Sequence, residues 1–139
     1  IVDAMAALLV RGPSQFDVIV TGNMFGDILS DEASELSGSI GLAGSVMAGD
    51  ELCVAQAQHG SAPDIQGKDI ANPTSLILSA TMLLEWLARR HANPALAQAA
   101  AKIDAAIDAA INDPASRTRD LGGKLGTQDF AKNVAARLG

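Results

Sequence analysis

Asp27 and Asp31 stand four residues apart in the run Gly22-Asn23-Met24-Phe25-Gly26-Asp27-Ile28-Leu29-Ser30-Asp31. On a helix, positions i and i+4 project side by side, so the two carboxylates lie about one turn apart, beside a glycine turn. Carboxylate oxygens are the ligands that hard cations such as Mg²⁺ or Mn²⁺ take, and the glycine lets a substrate approach. Acids near a helix start also complement the helix dipole, so a solvated helix start is the competing reading. A second segment, His59-Gly60-Ser61-Ala62-Pro63-Asp64-Ile65, sets one acid among small residues. Such an acid can accept hydrogen bonds from both ribose hydroxyls of an adenosine while repelling a 2′-phosphate, although Pro-Asp is also an ordinary turn. His59 taken singly reads as a packed or surface histidine, because His91 is far along the chain and gives no metal-ligand spacing.

These residues need elements to position them. Residues 2–10 carry a broad apolar helical stripe that Arg11-Gly12-Pro13 closes. Residues 16–21 are short, β-branched and bounded by turn formers, which predicts a buried strand of a parallel sheet. A helix is expected from Asp27 to Leu36, with Ile28, Leu29, Ala33 and Leu36 on one face and the two acids on another. Gly38, Gly41, Gly44 and Gly49 then predict a loose hinge or domain boundary, and residues 51–55 a second strand. Residues 59–73 form a long connection of the kind that is functional or disordered, and its regular polar placement favours function. Helices are expected over residues 76–88, after Asn72-Pro73-Thr74, and from Pro94 to Ile111. A last helix runs from Thr127, read as its N-cap, to Leu138, with Asp120-Leu121-Gly122-Gly123 as a preceding turn. Trp86 and the four methionines are expected in the core, as is Cys53 between Leu52 and Val54.

Composition narrows the classes. A chain of 139 residues with 48% hydrophobic content is enough to bury one core. A formal charge of −6 with scattered Lys and Arg argues against nucleic acid. One cysteine makes no internal disulfide, and no apolar stretch approaches the roughly twenty residues that cross a bilayer. With no signal-peptide pattern at the N-terminus, no membrane partner and a cytoplasmic setting are expected. The chain has no tyrosine, so chemistry that needs a tyrosyl acid must take it from elsewhere.

The order and wording of the two motifs resemble the metal-dependent β-decarboxylating dehydrogenases, the family of isopropylmalate, isocitrate, homoisocitrate and tartrate dehydrogenases. The resemblance runs from Val2-Asp3-Ala4-Met5 through residues 23–31 and 59–73, and more weakly to Asp120-Leu121-Gly122-Gly123. It implies an α/β fold, part of a two-domain architecture with a largely parallel sheet. Residues 1–37 would belong to the dimerisation and metal-site domain and residues 38–139 to the nucleotide-binding domain. It makes Asp27 and Asp31 ligands of Mg²⁺ or Mn²⁺ and Asp3 an acid lent to the metal site of the neighbouring subunit of a homodimer. His59, Gly60, Ser61, Ala62, Ile65 and Asn72 would surround the adenosine, with Asp64 on the ribose. Relatives that prefer NADP carry Lys-Tyr where this chain has Asp64-Ile65, which implies NAD.

The implied reaction removes hydride from the carbon bearing the hydroxyl of a 2-hydroxy acid with a 3-carboxylate, isopropylmalate or isocitrate-like. The metal polarises the new carbonyl so that CO₂ leaves a stabilised enolate, which a general acid protonates. The resemblance puts the catalytic tyrosine and lysine upstream of Ile1, so the chain is expected to be a C-terminal portion that does not turn over alone. Two departures stand out. Gln56-Ala57-Gln58 replaces Glu-Pro-Val before the histidine, and Leu42-Ala43-Gly44-Ser45 replaces Leu-Pro-Ser-Ala. The first motivates a rival reading, a non-catalytic regulatory subunit or degenerate paralogue.

Overall fold

The computed structural model describes residues 1–139. Five α-helices and one two-stranded sheet follow in the order α1 (Val2–Arg11), α2 (Asn23–Ser37), β1 (Gly44–Ala48), β2 (Cys53–Ala57), α3 (Thr74–Arg90), α4 (Pro94–Asn112) and α5 (Thr127–Ala136). The chain is α/β in content. Helix α1 stops where the sequence says it should: the Gly12 amide donates to the Leu8 carbonyl at 2.9 Å, and Pro13 cannot continue the ladder.

Helix α2 begins at Asn23, four residues before the expected start, and the Gly26 amide donates to the Gly22 carbonyl at 2.8 Å. Asp27 therefore lies beyond the first turn, which holds no acid at all. Dipole complementation fades within that turn, so the structure counts against reading Asp27 as a plain helix-start acid. Of the expected apolar stripe only Leu29 is buried, whereas Ile28 and Leu36 face outward because nothing in this chain packs over them.

The expected strand at residues 16–21 is not formed. The segment runs without a ladder, and Val18 and Val20 are 80% and 92% exposed. A strand needs a neighbour to pair its amides and carbonyls, and no other segment of the chain lies alongside. The one sheet is an antiparallel hairpin rather than part of a parallel sheet, with Gly44 opposite Ala57 and Ala48 opposite Cys53.

The expected hinge around residues 38–49 is instead ordered, as a 3₁₀ turn at Ile40–Leu42 followed by β1. Two of its glycines, Gly41 and Gly44, serve close approach. A Cβ on Gly44 would sit 2.9 Å from the Met82 sulfur, and one on Gly41 would sit 2.8 Å from the Asn72 Cβ. The hairpin docks on α3 through two buried serines one turn apart. Ser75 Oγ donates to the Ala43 carbonyl at 2.5 Å, and Ser79 Oγ donates to the Gln56 carbonyl at 2.6 Å. The Ser45 amide closes this seam by donating to Ser79 Oγ at 2.9 Å.

The core lies between α4 and α5, where Ala106, Ile107, Ala110, Phe130 and Val134 are buried together. Alanines on α4 let Phe130 seat fully, and Ile77 and Leu78 of α3 pack on the same cluster. Two expectations fail here. Met24 and Met47 are largely exposed, and Trp86 and Cys53 are only half-buried, the tryptophan ring carrying the Arg90 guanidinium 6.0 Å from its centre. The N-cap of α5 is Gly126, not Thr127, because Asp69 caps the helix from the loop: its Oδ1 accepts from the Gln128 amide at 3.0 Å. The Thr127 hydroxyl is thereby free to donate to the Ala71 carbonyl at 2.5 Å. No helix is long and apolar enough to cross a membrane.

Candidate functional site

Two openings flank the start of the 59–73 loop. The first is a shallow polar groove of about 510 Å³ between α2 and the hairpin, lined by Asp27, Ser30, Asp31, Ser45, Gln56 and Gln58 among others. Both acids are exposed, and neither is paired with a lysine or arginine, since the four ion pairs of the chain lie elsewhere. The Gln58 side-chain amide donates to Asp31 Oδ1 at 3.3 Å and to Ser34 Oγ at 3.0 Å.

Unpaired carboxylates with free oxygens suit Mg²⁺ or Mn²⁺, which keep several waters and take one or two carboxylates plus substrate oxygens. Within this chain no third acid, histidine or cysteine joins them closely enough to hold a metal. Asp3 does not line the groove. It sits exposed in the first turn of α1, its Oδ1 accepting from the Ala4 amide at 2.7 Å.

The second opening, of about 790 Å³, is a size suited to a small-molecule site. His59, Gly60, Ser61, Ala62, Ile65 and Asn72 all line it, so the structure brings six of the seven residues read from the loop into one wall. Asp64 stands outside that wall, exposed on the 3₁₀ turn Pro63–Ile65 beside Ile65. Ala62 and Asp69 take left-handed backbone (φ 42° and 51°) on either side of that turn, conformations that cost non-glycine residues of order 1 kcal/mol each. The loop is pinned at its far end, where the Thr127 amide donates to the Asp69 carbonyl at 3.3 Å.

The group that sets Asn72 comes from a distant segment of the chain. Asp120, read there only as part of a turn, also lines the opening, and its Oδ2 accepts from Asn72 Nδ2 at 2.9 Å and from Ser39 Oγ at 2.6 Å. Asn72 Oδ1 in turn accepts from the Thr74 amide at 3.0 Å, which opens α3. Burial pushes the Asp120 carboxyl up, but hydrogen bonds, led by the Ser39 hydroxyl, outweigh it and hold the group below the ordinary aspartate value. The Thr118 hydroxyl lies near the same carboxylate but outside hydrogen-bonding geometry. No spacing rule joins residues 39, 72 and 120, so only the folded chain discloses the trio.

A depressed folded value adds stability above the unfolded value of 3.8, and that stability is lost as pH falls through the folded one. Asp120→Asn is therefore expected to cost about 1–2 kcal/mol at pH 7 by urea unfolding, the charge-assisted bonds being discounted for solvent. The gap to the wild type should narrow as pH falls below the unfolded value of 3.8. A gap of the same size at pH 7 and pH 3 would contradict this account.

The sequence model of the isocitrate/isopropylmalate dehydrogenase family matches residues 1–134. The chain is 53% identical over 120 residues to the 3-isopropylmalate dehydrogenase of Sulfurimonas denitrificans, covering 86% of this chain and 32% of that protein. It is 47% identical over 138 residues to the isocitrate/homoisocitrate dehydrogenase of Thermus thermophilus, covering 99% of this chain and 39% of that protein. In three dimensions it matches the crystal structure of isocitrate dehydrogenase from Methylococcus capsulatus with a TM-score of 0.90 at 40% identity, over 99% of this chain and 39% of that one. The chain thus spans between about a third and two fifths of the length of these relatives. The matched length, the identity and the shared backbone agree: this chain belongs to the isocitrate/isopropylmalate dehydrogenase family.

Proposed function

We propose that the chain supplies the metal acids and the adenosine pocket of an NAD-dependent, Mg²⁺- or Mn²⁺-dependent oxidative decarboxylase. Its substrate is a 2-hydroxy acid with a 3-carboxylate, isopropylmalate or an isocitrate-like acid. The observation that supports this most is an adjacency: Gln58 lines the groove of Asp27 and Asp31, and His59, the next residue, lines the second opening. A cation site and a nucleotide pocket so joined suit a reaction in which hydride leaves for a cofactor while charge develops on a neighbouring oxygen.

Each residue then has a task. Asp27 and Asp31 hold the divalent ion, whose contribution when bound is to polarise the 2-oxo carbonyl and favour loss of CO₂. Asp3 completes that site in a partner subunit of a homodimer. Residues 59–62, Ile65 and Asn72 exclude water from the adenosine, Asp120 keeps the Asn72 amide turned, and Asp64 accepts from the ribose hydroxyls at the rim. Residues 1–37 form part of the dimerisation and metal-site domain and residues 38–139 part of the nucleotide-binding domain. Residues 16–21, with Val18, Ile19 and Val20 exposed, suit a place in a largely parallel sheet. The charge of −6 argues against a nucleic acid partner, and a cytoplasmic setting without a membrane partner completes the reading.

One observation keeps a second reading in play. Gln56 lines the groove as a neutral amide where many relatives place a carboxylate, which fits a subunit that binds nucleotide without turnover. The full-length protein given Mn²⁺, NAD⁺ and the 2-hydroxy acids of the family separates the two. NADH and CO₂ in equal amounts from one of them are expected. No NADH from any of them would favour the regulatory reading.

A further inference from the structure

Gln58 is half-buried and lines the groove, and the next residue in the chain, His59, lines the second opening. Three hydrogen bonds fix it. Its backbone amide donates to Ser75 Oγ at 3.0 Å, on a hydroxyl that itself donates to the Ala43 carbonyl. Its side-chain amide spends both N–H donors on α2, one on Asp31 Oδ1 at 3.3 Å and one on Ser34 Oγ at 3.0 Å. The main chain then enters the nucleotide wall at His59.

A neutral donor is well suited to hold a ligating carboxylate. It occupies one oxygen and fixes the side-chain rotamer, while the second oxygen and the full negative charge stay available to a cation. A lysine there would compete with the cation, and a valine would have no donor to offer. The Gln58 hydrogen bonds therefore link the start of the loop to the Asp31 carboxylate, so a nucleotide that orders the loop would act on that carboxylate through them.

We propose that Gln58 is a positioning residue that ties Asp31 to the nucleotide loop, so that occupancy of either site tightens the other. This rests on the reading of Asp27 and Asp31 as cation ligands. Because coupling between sites is reciprocal, it can be read from binding alone. Free Mn²⁺ is titrated by electron paramagnetic resonance into the full-length protein with and without saturating NAD⁺, and no substrate is present.

In the wild type, NAD⁺ is expected to tighten Mn²⁺ binding about fivefold, the low end of ordinary coupling between sites. Gln58→Met keeps the length of the side chain and removes its donors. It should weaken Mn²⁺ about tenfold, the lower range for loss of a partner to a ligating group, and bring the NAD⁺ effect to about onefold. Ser34→Ala, which frees one donor and leaves the Asp31 bond, should fall between the two. Fivefold coupling retained in Gln58→Met would overturn the proposal, and so would a wild type whose Mn²⁺ affinity ignores NAD⁺. In both of those cases wild-type Mn²⁺ binding persists. A wild type that binds no Mn²⁺ marks instead the failure of the cation reading, and the proposal falls with it.

Discussion

Replacing Asp27 and Asp31 together by asparagine is expected to weaken Mn²⁺ binding by the full-length protein at least about 100-fold. That exceeds the cost of losing a mere partner of a ligating group, because the substitution removes both negative charges that face the cation. The fold should not suffer. Both acids are exposed, asparagine and aspartate have similar helix propensity, and relief of the i,i+4 like-charge pair is worth about 0.2–0.5 kcal/mol in favour of the variant. The two effects separate in one pair of measurements. Calorimetric titration should show the lost affinity, and thermal unfolding without metal should show a melting temperature equal to or slightly above that of the wild type. Addition of Mn²⁺ should raise the melting temperature of the wild type alone, since only a ligand bound to the folded state stabilises it. Unchanged Mn²⁺ affinity in the double variant would remove the metal assignment. A collapse of metal-free stability would show instead that the acids are structural.

Asp64→Lys combined with Ile65→Tyr should turn the cofactor preference from NAD⁺ toward NADP⁺. Asp64 is exposed at the rim, on the same 3₁₀ turn that sends Ile65 into the pocket wall. A carboxylate there accepts from ribose hydroxyls and repels a 2′-phosphate, whereas a lysine attracts it. Two opposite charges about 4 Å apart are worth about 4 kcal/mol near a protein surface before solvent exposure is discounted. Roughly 3 kcal/mol for the whole reversal remains a conservative figure, and it corresponds to about 100-fold in the ratio of kcat/KM values for the two cofactors. Both kcat/KM values in the full-length variant measure it. A ratio that stays with NAD⁺ would place the ribose away from this turn.

The placement of the two motifs was legible because it is set locally. Asp27 and Asp31 share a helix face by spacing alone, and His59, Gly60, Ser61, Ala62 and Ile65 reach one wall because a short turn carries them there. Helices α1, α3 and α4 were legible for the same reason, through apolar periodicity and proline or glycine stops. What stayed hidden depends on partners distant in sequence. The hairpin rests on Ser75 and Ser79, which look like ordinary polar helix positions until the strands are laid on them. Gly41 and Gly44 looked like hinges, although each is small to admit a neighbour, Asn72 in one case and Met82 in the other. Asp120, Ser39 and Asn72 come from three separate segments, and Asp69 caps a helix 59 positions away. Residues 16–21 have the composition of a buried strand, yet β-propensity reflects packing against neighbours, and this chain offers that segment none.

Asp27 and Asp31 are proposed to grip a divalent ion while the loop that begins one residue after Gln58 encloses adenosine. The anomalous signal of manganese in a crystal of the full-length protein grown with Mn²⁺ and NAD⁺ tests it most directly. A peak is expected within bonding distance, about 2 Å, of oxygens from both acids, with adenine against His59 and Asn72. A peak elsewhere, with both carboxylates turned to bulk solvent and the cofactor outside the loop, would contradict it.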